Sequence, residues 1–115
     1  MAKNYIQKGR YLWLTVAAGT KSGDPVAVGQ ITGVATIDAD ANNQATVDTE
    51  EVYDLSVKAI DGGGNSAVAI GDNIYFVSAD TPKLSKKTTG VLYGYALEAI
   101  SAGATDTINV KLAKK

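Results

Sequence analysis

Histidine and cysteine carry much of the chemistry that small proteins perform, and this 115-residue chain contains neither. Their joint absence removes the usual general base, the commonest zinc ligands, every thiolate, and every Ser-His or Cys-His pairing. Carboxylates, lysines, tyrosines and hydroxyls remain. Asp24 and Asp72 each follow a glycine at the start of an apolar run. Related by a pseudo-twofold, they would form a carboxylate pair for acid–base work; taken singly, each caps a turn through backbone amides, which is the simpler role. Thr20-Lys21-Ser22 touches on a phosphate loop, but that loop needs Gly, four residues, then Gly-Lys-Ser or Gly-Lys-Thr before a helix. Here Thr20 stands beside the lysine and a strand pattern follows. Asp38-Ala39-Asp40-Ala41-Asn42-Asn43 opens like a calcium loop, yet its sixth position is Asn43 where glycine is needed and its twelfth is Thr49 where glutamate is needed. A solvated turn is the expectation there. No residues converge on a catalytic centre, and neither a metal nor another cofactor is expected.

The elements that position these residues read as short strands. Tyr11 to Val16 alternates Tyr11, Trp13 and Thr15 with Leu12, Leu14 and Val16, so the aliphatic set faces inward. Trp13 then points away from that set, either packed under a loop or a second sheet, or serving as an interface anchor. Pro25 to Val28 and Ile31 to Ile37 follow, then Ala45 to Thr49. Val52 to Ala59 sets Tyr53, Leu55, Val57 and Ala59 against Asp54, Ser56 and Lys58. Asp61 to Ser66 is too rich in glycine to hold a strand and reads as a mobile loop. Asn73 to Ser78 is another strand, and Ala79 to Thr89 a polar excursion with Pro82, Lys83, Lys86 and Lys87. Gly90 to Ile100 reads as a covered central strand, with a helix over Ala96 to Ile100 as the alternative. Ile108, Val110 and Leu112 mark the last strand.

A pattern recurs within this order. Gly23-Asp24 before Pro25 to Val28 returns as Gly71-Asp72 before Asn73 to Val77, and Gly33-Val34-Ala35 returns as Gly94-Tyr95-Ala96. The second copy must carry a longer insertion before its return strand, around Ser78 to Thr89. The expected fold class is all-β: a small sandwich or partly closed barrel of short strands, with a possible two-fold internal repeat and at most one short helix. Residues 1–8 read as an N-terminal arm, 9–113 as a single β domain and 114–115 as a charged tail.

Composition narrows the partners. Eleven basic and twelve acidic side chains give a formal net charge of −1, so no long-range field draws in nucleic acid. No run approaches membrane-spanning length, and no signal peptide is evident. One Phe and one Trp among many small and β-branched residues make a thin core, which favours self-association.

The opening Ala2-Lys3-Asn4-Tyr5-Ile6-Gln7, the segment from Leu12-Leu14-Thr15 to Ser22-Gly23-Asp24-Pro25-Val26 and Gly29, and the closing Gly94-Tyr95-Ala96-Leu97-Glu98-Ala99 to Ser101-Ala102-Gly103-Ala104 resemble the small capsid cement, or decoration, proteins of tailed bacteriophages and prophages. Some members carry a recombinase-like label, against which the failed phosphate-loop match argues. The resemblance implies a β-rich protein that self-associates, commonly as a trimer, on the outer surface of the virion head after a period in the host cytoplasm. Its implied partners are the major capsid protein and further copies of itself, and no catalytic positions carry over. On this reading Ala2, Lys3, Asn4, Tyr5, Ile6 and Gln7 of the arm meet the capsid, together with Gly62, Gly63, Gly64 and Asn65 and with Lys83, Lys86 and Lys87. Trp13, Tyr53, Tyr93 and Tyr95 serve the core or a subunit interface. A carbohydrate- or surface-binding β module displayed on a particle is the alternative.

Overall fold

Alternating β-branched and small residues, punctuated every few positions by glycine or aspartate, give eleven short strands and no helix among the residues described, 11–113 of the computed structural model. They are β1 (Tyr11–Thr15), β2 (Pro25–Val28), β3 (Ile31–Ala35), β4 (Gln44–Asp48), β5 (Val52–Lys58), β6 (Ile60–Asp61), β7 (Gly64–Asn65), β8 (Asn73–Phe76), β9 (Leu84–Ser85), β10 (Val91–Ala96) and β11 (Thr105–Leu112). The expected arm and charged tail lie outside the described residues. The first four strands form a curled sheet in the order β1-β4-β3-β2, while β10, β11, β5, β9 and β8 close into a barrel. The expected partly closed barrel is thus one closed barrel joined to one open half-barrel.

The internal repeat is written in the hydrogen bonds. Gly23 donates to the Ala35 carbonyl at 2.7 Å and Ala35 returns a bond to Asp24 at 3.0 Å; Gly71 donates to Ala96 at 2.7 Å and Ala96 returns a bond to Asp72 at 3.0 Å. Both turn glycines have φ of +91°, a conformation that only glycine adopts without strain. Gly33 and Gly94 are matched as well. A Cβ on Gly33 would run into the Asp48 carbonyl oxygen, and one on Gly94 into that of Lys111. In sequence order β1, β2, β3 and β4 therefore correspond to β5, β8, β10 and β11.

Two insertions distinguish the second copy. The first contributes the hairpin β6–β7, pairing Ile60 with Asn65 and Asp61 with Gly64. This corrects the expectation of a strandless mobile loop: Asp61 Oδ1 accepts the Gly63 amide at 2.8 Å and folds the glycines into a tight turn. The second insertion is the expected polar excursion, and it holds β9. Leu84-Ser85 runs parallel to β5 and antiparallel to β8, which closes the barrel.

The helix considered for Ala96 to Ile100 does not form. Leu97 donates to Asn109 and Ile100 exchanges bonds with Val68, so neighbouring strands take the amides that a helix would use.

The cores reflect the difference between the copies. The barrel encloses Leu55, Val57, Ile74, Phe76, Leu84, Tyr93, Ile108, Val110 and Leu112, with Val34 of the half-barrel packed into the same cluster. The half-barrel holds a smaller set: Val16, Val26, Ala35, Ala45 and Val47. Two tyrosines tie the copies together. Tyr93 donates its hydroxyl to the Gly33 carbonyl at 2.6 Å, and Tyr53 donates to Asp48 Oδ2 at 2.6 Å. Burial, with Tyr53 nearby, raises the Tyr93 phenol well above its ordinary pKa.

Because backbone lies where a new methyl group would go, Gly33→Ala and Gly94→Ala each destabilise the fold by roughly 1–3 kcal/mol. Leu84→Ala, which hollows the barrel at its seam, costs about 2–5 kcal/mol. Urea unfolding curves measure both effects.

Candidate functional site

Aspartates in this chain serve turns first. Asp24 Oδ2 accepts the Lys21 amide at 3.0 Å and Asp72 Oδ2 accepts the Ala69 amide at 2.9 Å, so each potential member of a carboxylate pair is engaged within its own turn. Asp40 Oδ1 accepts the amides of Asn42 and Gln44, and Asp38 Oδ1 accepts that of Ser22. Asn43, at φ of +57°, sits in the left-handed region that this turn requires. The acidic run thus forms a hydrogen-bonded turn, and among the described residues no group of three or more acidic side chains gathers as a metal site.

The basic excursion is tightly organised. Lys86 reaches Asp72 at 3.2 Å and also donates to the Ala67 carbonyl at 2.9 Å and the Ser66 hydroxyl at 3.3 Å. The Ala69 amide and then the Lys86 ammonium hold the Asp72 carboxyl below its usual value of 3.8. Lys87 lies 2.8 Å from Asp80. The Asp80 oxygen is buried without a well-angled hydrogen bond, so the ammonium is what balances its charge. Lys83 makes no ion pair among the described residues; its carbonyl accepts the Val77 amide at 2.8 Å.

Of the other expected contact residues, Gly62, Gly63, Gly64 and Asn65 are exposed at and beside the β6–β7 tip. The arm from Ala2 to Gln7 lies outside the described residues. Among the aromatics, Tyr93 is fully buried within its own chain and takes the core role, stacked 6.2 Å from Phe76; no partner subunit can reach it there. Tyr53 and Tyr95 are half-buried. Trp13 is 53% exposed and Tyr11 is 48% exposed on the same face of β1. This excludes the reading in which Trp13 packs beneath a loop or second sheet, although its indole Nε1 donates to Gln44 Oε1 at 3.1 Å.

Two features escaped sequence reasoning. One is the buried Asp48–Tyr53 contact, since no local pattern connects the end of β4 to β5. The other is β9, whose only signal was a single leucine among lysines. A cavity of about 520 Å³ also lies where the two copies meet, with Ala17, Asp24 and Ala27 on one side and Pro82 and Lys83 on the other.

These features define a class: a small, duplicated, all-β structural protein that presents loops, an exposed aromatic face and a cleft, and several of whose aspartates serve its own turns. The chain belongs to the phage cement protein family, which matches residues 6–112. A capsid-associated structural role comes with that membership. No match was found among curated proteins or among solved structures.

The Asp72–Lys86 contact has a pH signature. A carboxyl whose folded pKa is depressed adds stability that is complete above its unfolded pKa and is lost as pH falls through the folded value. Asp72→Asn therefore lowers stability at pH 7, by about 0.5–1 kcal/mol for a half-buried pair at the surface. The deficit relative to wild type shrinks below about pH 4, and thermal melts across pH 2–7 record it.

Proposed function

We propose that this protein binds the outer surface of an assembled phage head and stabilises it as a cement protein, acting through contacts and not through catalysis. The observation that carries the reading is the family match over nearly the whole chain. A ligand that binds only the assembled lattice shifts the equilibrium against capsid opening. Self-association, as a trimer on this reading, multiplies each modest contact.

The arm from Ala2 to Gln7, the exposed hairpin tip Gly62 to Asn65 and the excursion bearing Lys83, Lys86 and Lys87 are the capsid-facing elements. Lys86 and Lys87 act chiefly by holding that excursion in shape through Asp72 and Asp80, while Lys83, half-buried and without an ion pair among the described residues, is the lysine left for a capsid contact. Trp13 and the half-buried Tyr53 and Tyr95 lie toward neighbouring copies. The protein waits in the host cytoplasm and joins the outside of the head after assembly.

One observation favours the second reading, a carbohydrate-binding module displayed on a particle. Tyr11 and Trp13 stand exposed two residues apart on one strand face, the arrangement of an aromatic stacking platform. A glycan array separates the two readings.

Added to purified heads that lack it, the protein co-sediments with them on a density gradient and raises the temperature at which they open. Retention in the soluble fraction would refute the cement role. Deleting Ala2 to Gln7 weakens head binding and leaves the circular dichroism of the fold intact.

A further inference from the structure

The cleft between the two copies runs along a strand edge. β2 ends its sheet, and among the described residues no strand lies beyond it. Ala35 donates to the Asp24 carbonyl, and the β2–β3 register continues through Val26 with Gly33, Ala27 with Thr32 and Val28 with Ile31. Bonded and non-bonded pairs alternate along an antiparallel ladder, so Asp24, Val26 and Val28 bond to β3. Pro25 and Ala27 turn their main-chain groups the other way, off the edge of the sheet. There the Ala27 amide and the Pro25 and Ala27 carbonyls meet no main-chain partner among the described residues.

That edge borders the cavity of about 520 Å³. Pro25, Val26 and Ala27 all line it, although neighbouring side chains on a strand point to opposite faces. Three consecutive lining residues therefore place the edge itself, rather than one face of β2, along the cavity. Phe76, Pro82 and Lys83 form the facing wall. An edge opposed by a wall has room for a single extended segment and not for the sheet of another copy. The volume falls within the range of about 300–1,000 Å³ of ligand sites, and the four residues of β2 offer a ladder of about 13 Å.

Two charges of opposite sign line the cleft without meeting. Asp24 gives one carboxylate oxygen to the Lys21 amide and makes no ion pair among the described residues. Lys83 is half-buried and also makes none. Asp80, the remaining charged residue of the lining, is balanced by Lys87 at 2.8 Å. The complementary occupant is an extended segment with an acidic side chain for Lys83, a basic one for Asp24, and small apolar groups against Pro25, Ala27 and Pro82.

We propose that the cleft accepts such a segment from a capsid subunit, which adds a fifth strand beside β2 to the four-stranded sheet. The partner comes from the cement reading, on which this site rests. The contact itself is a main-chain ladder centred on Ala27, with Lys83 and Asp24 fixing its register.

Hydrogen exchange of the full chain, free and bound to purified heads that lack it, follows the decisive amide. Val26 and Val28 are held in the ladder in both states, whereas Ala27 exchanges rapidly in the free protein and slows at least tenfold on heads. Binding with Ala27 exchange unchanged overturns the site and leaves the cement reading standing; a wild type that does not bind heads overturns both. Ala27→Pro removes the outward amide and no β2–β3 bond, and a variant with wild-type circular dichroism binds heads at least tenfold more weakly. Wild-type affinity in that folded variant overturns the site. Lys83→Glu, a substitution outside every strand, weakens head binding roughly tenfold at low salt. Lys111→Glu makes the same charge change at an exposed position outside the cleft and binds like wild type. Equal weakening by both lysine variants, or by neither, overturns the site.

Discussion

A curled β-sheet ends in two rows of unpaired amides and carbonyls, and what happens to those rows governs this molecule. In the second copy the two residues of β9 satisfy both at once, and Leu84, fully buried, completes the core behind them. Closure makes the inner face dry, so large residues such as Ile74, Phe76, Tyr93 and Leu112 can collect there. In the first copy no described strand joins the two ends of the sheet, and its interior is built from alanine and valine, with a single leucine half-exposed. The inequality of the two cores follows from one seam.

The closed copy then holds the open one in place. Val34 packs into the barrel cluster. The Tyr93 phenol, deep in that cluster, requires an acceptor and takes the Gly33 carbonyl. Asp48 accepts the Tyr53 hydroxyl on one oxygen and the Glu50 amide on the other, which fixes the turn between the copies. Gly33 is central to this junction: on one side it allows β4 to approach without a Cβ clash, and on the other it offers its carbonyl to Tyr93.

Charge works locally throughout. Asp24, Asp38, Asp40, Asp61 and Asp72 each accept a backbone amide within or between turns. Lys86 pins the segment carrying β9 to the turn at Asp72, and Lys87 braces it against Asp80. Acidic and basic residues that might suggest chemistry thereby become the means of keeping loops in shape. Loops fixed in this way give up less entropy when a surface is bound.

Much of this could be read in the residues beforehand. Period-two alternation placed the main strands and the inward face of β1, since side chains on a strand must alternate. The Gly-Asp pairs and the Gly33 and Gly94 matches announced the duplication, because positive φ and close strand approach leave a signature in residue type. Lacking histidine and cysteine, the chain also made legible that its carboxylates had no such partners to pair with, and the turn role expected for Asp24 and Asp72 is the one they take. Pairing between distant segments was not legible. Leu84 looked like a stray aliphatic in a polar loop, and Tyr93 was a candidate for the surface as much as for the core. Asp61 to Ser66 seemed too glycine-rich to pair, until its own aspartate closed the turn. Local pattern therefore determined which residues face inward and where the chain turns, because those depend on neighbours one to four positions away. Which copy closes on β9 and which tyrosine is buried were decided only in three dimensions, where a two-residue strand met partners 27 residues before it in sequence at Val57 and 8 residues before it at Phe76.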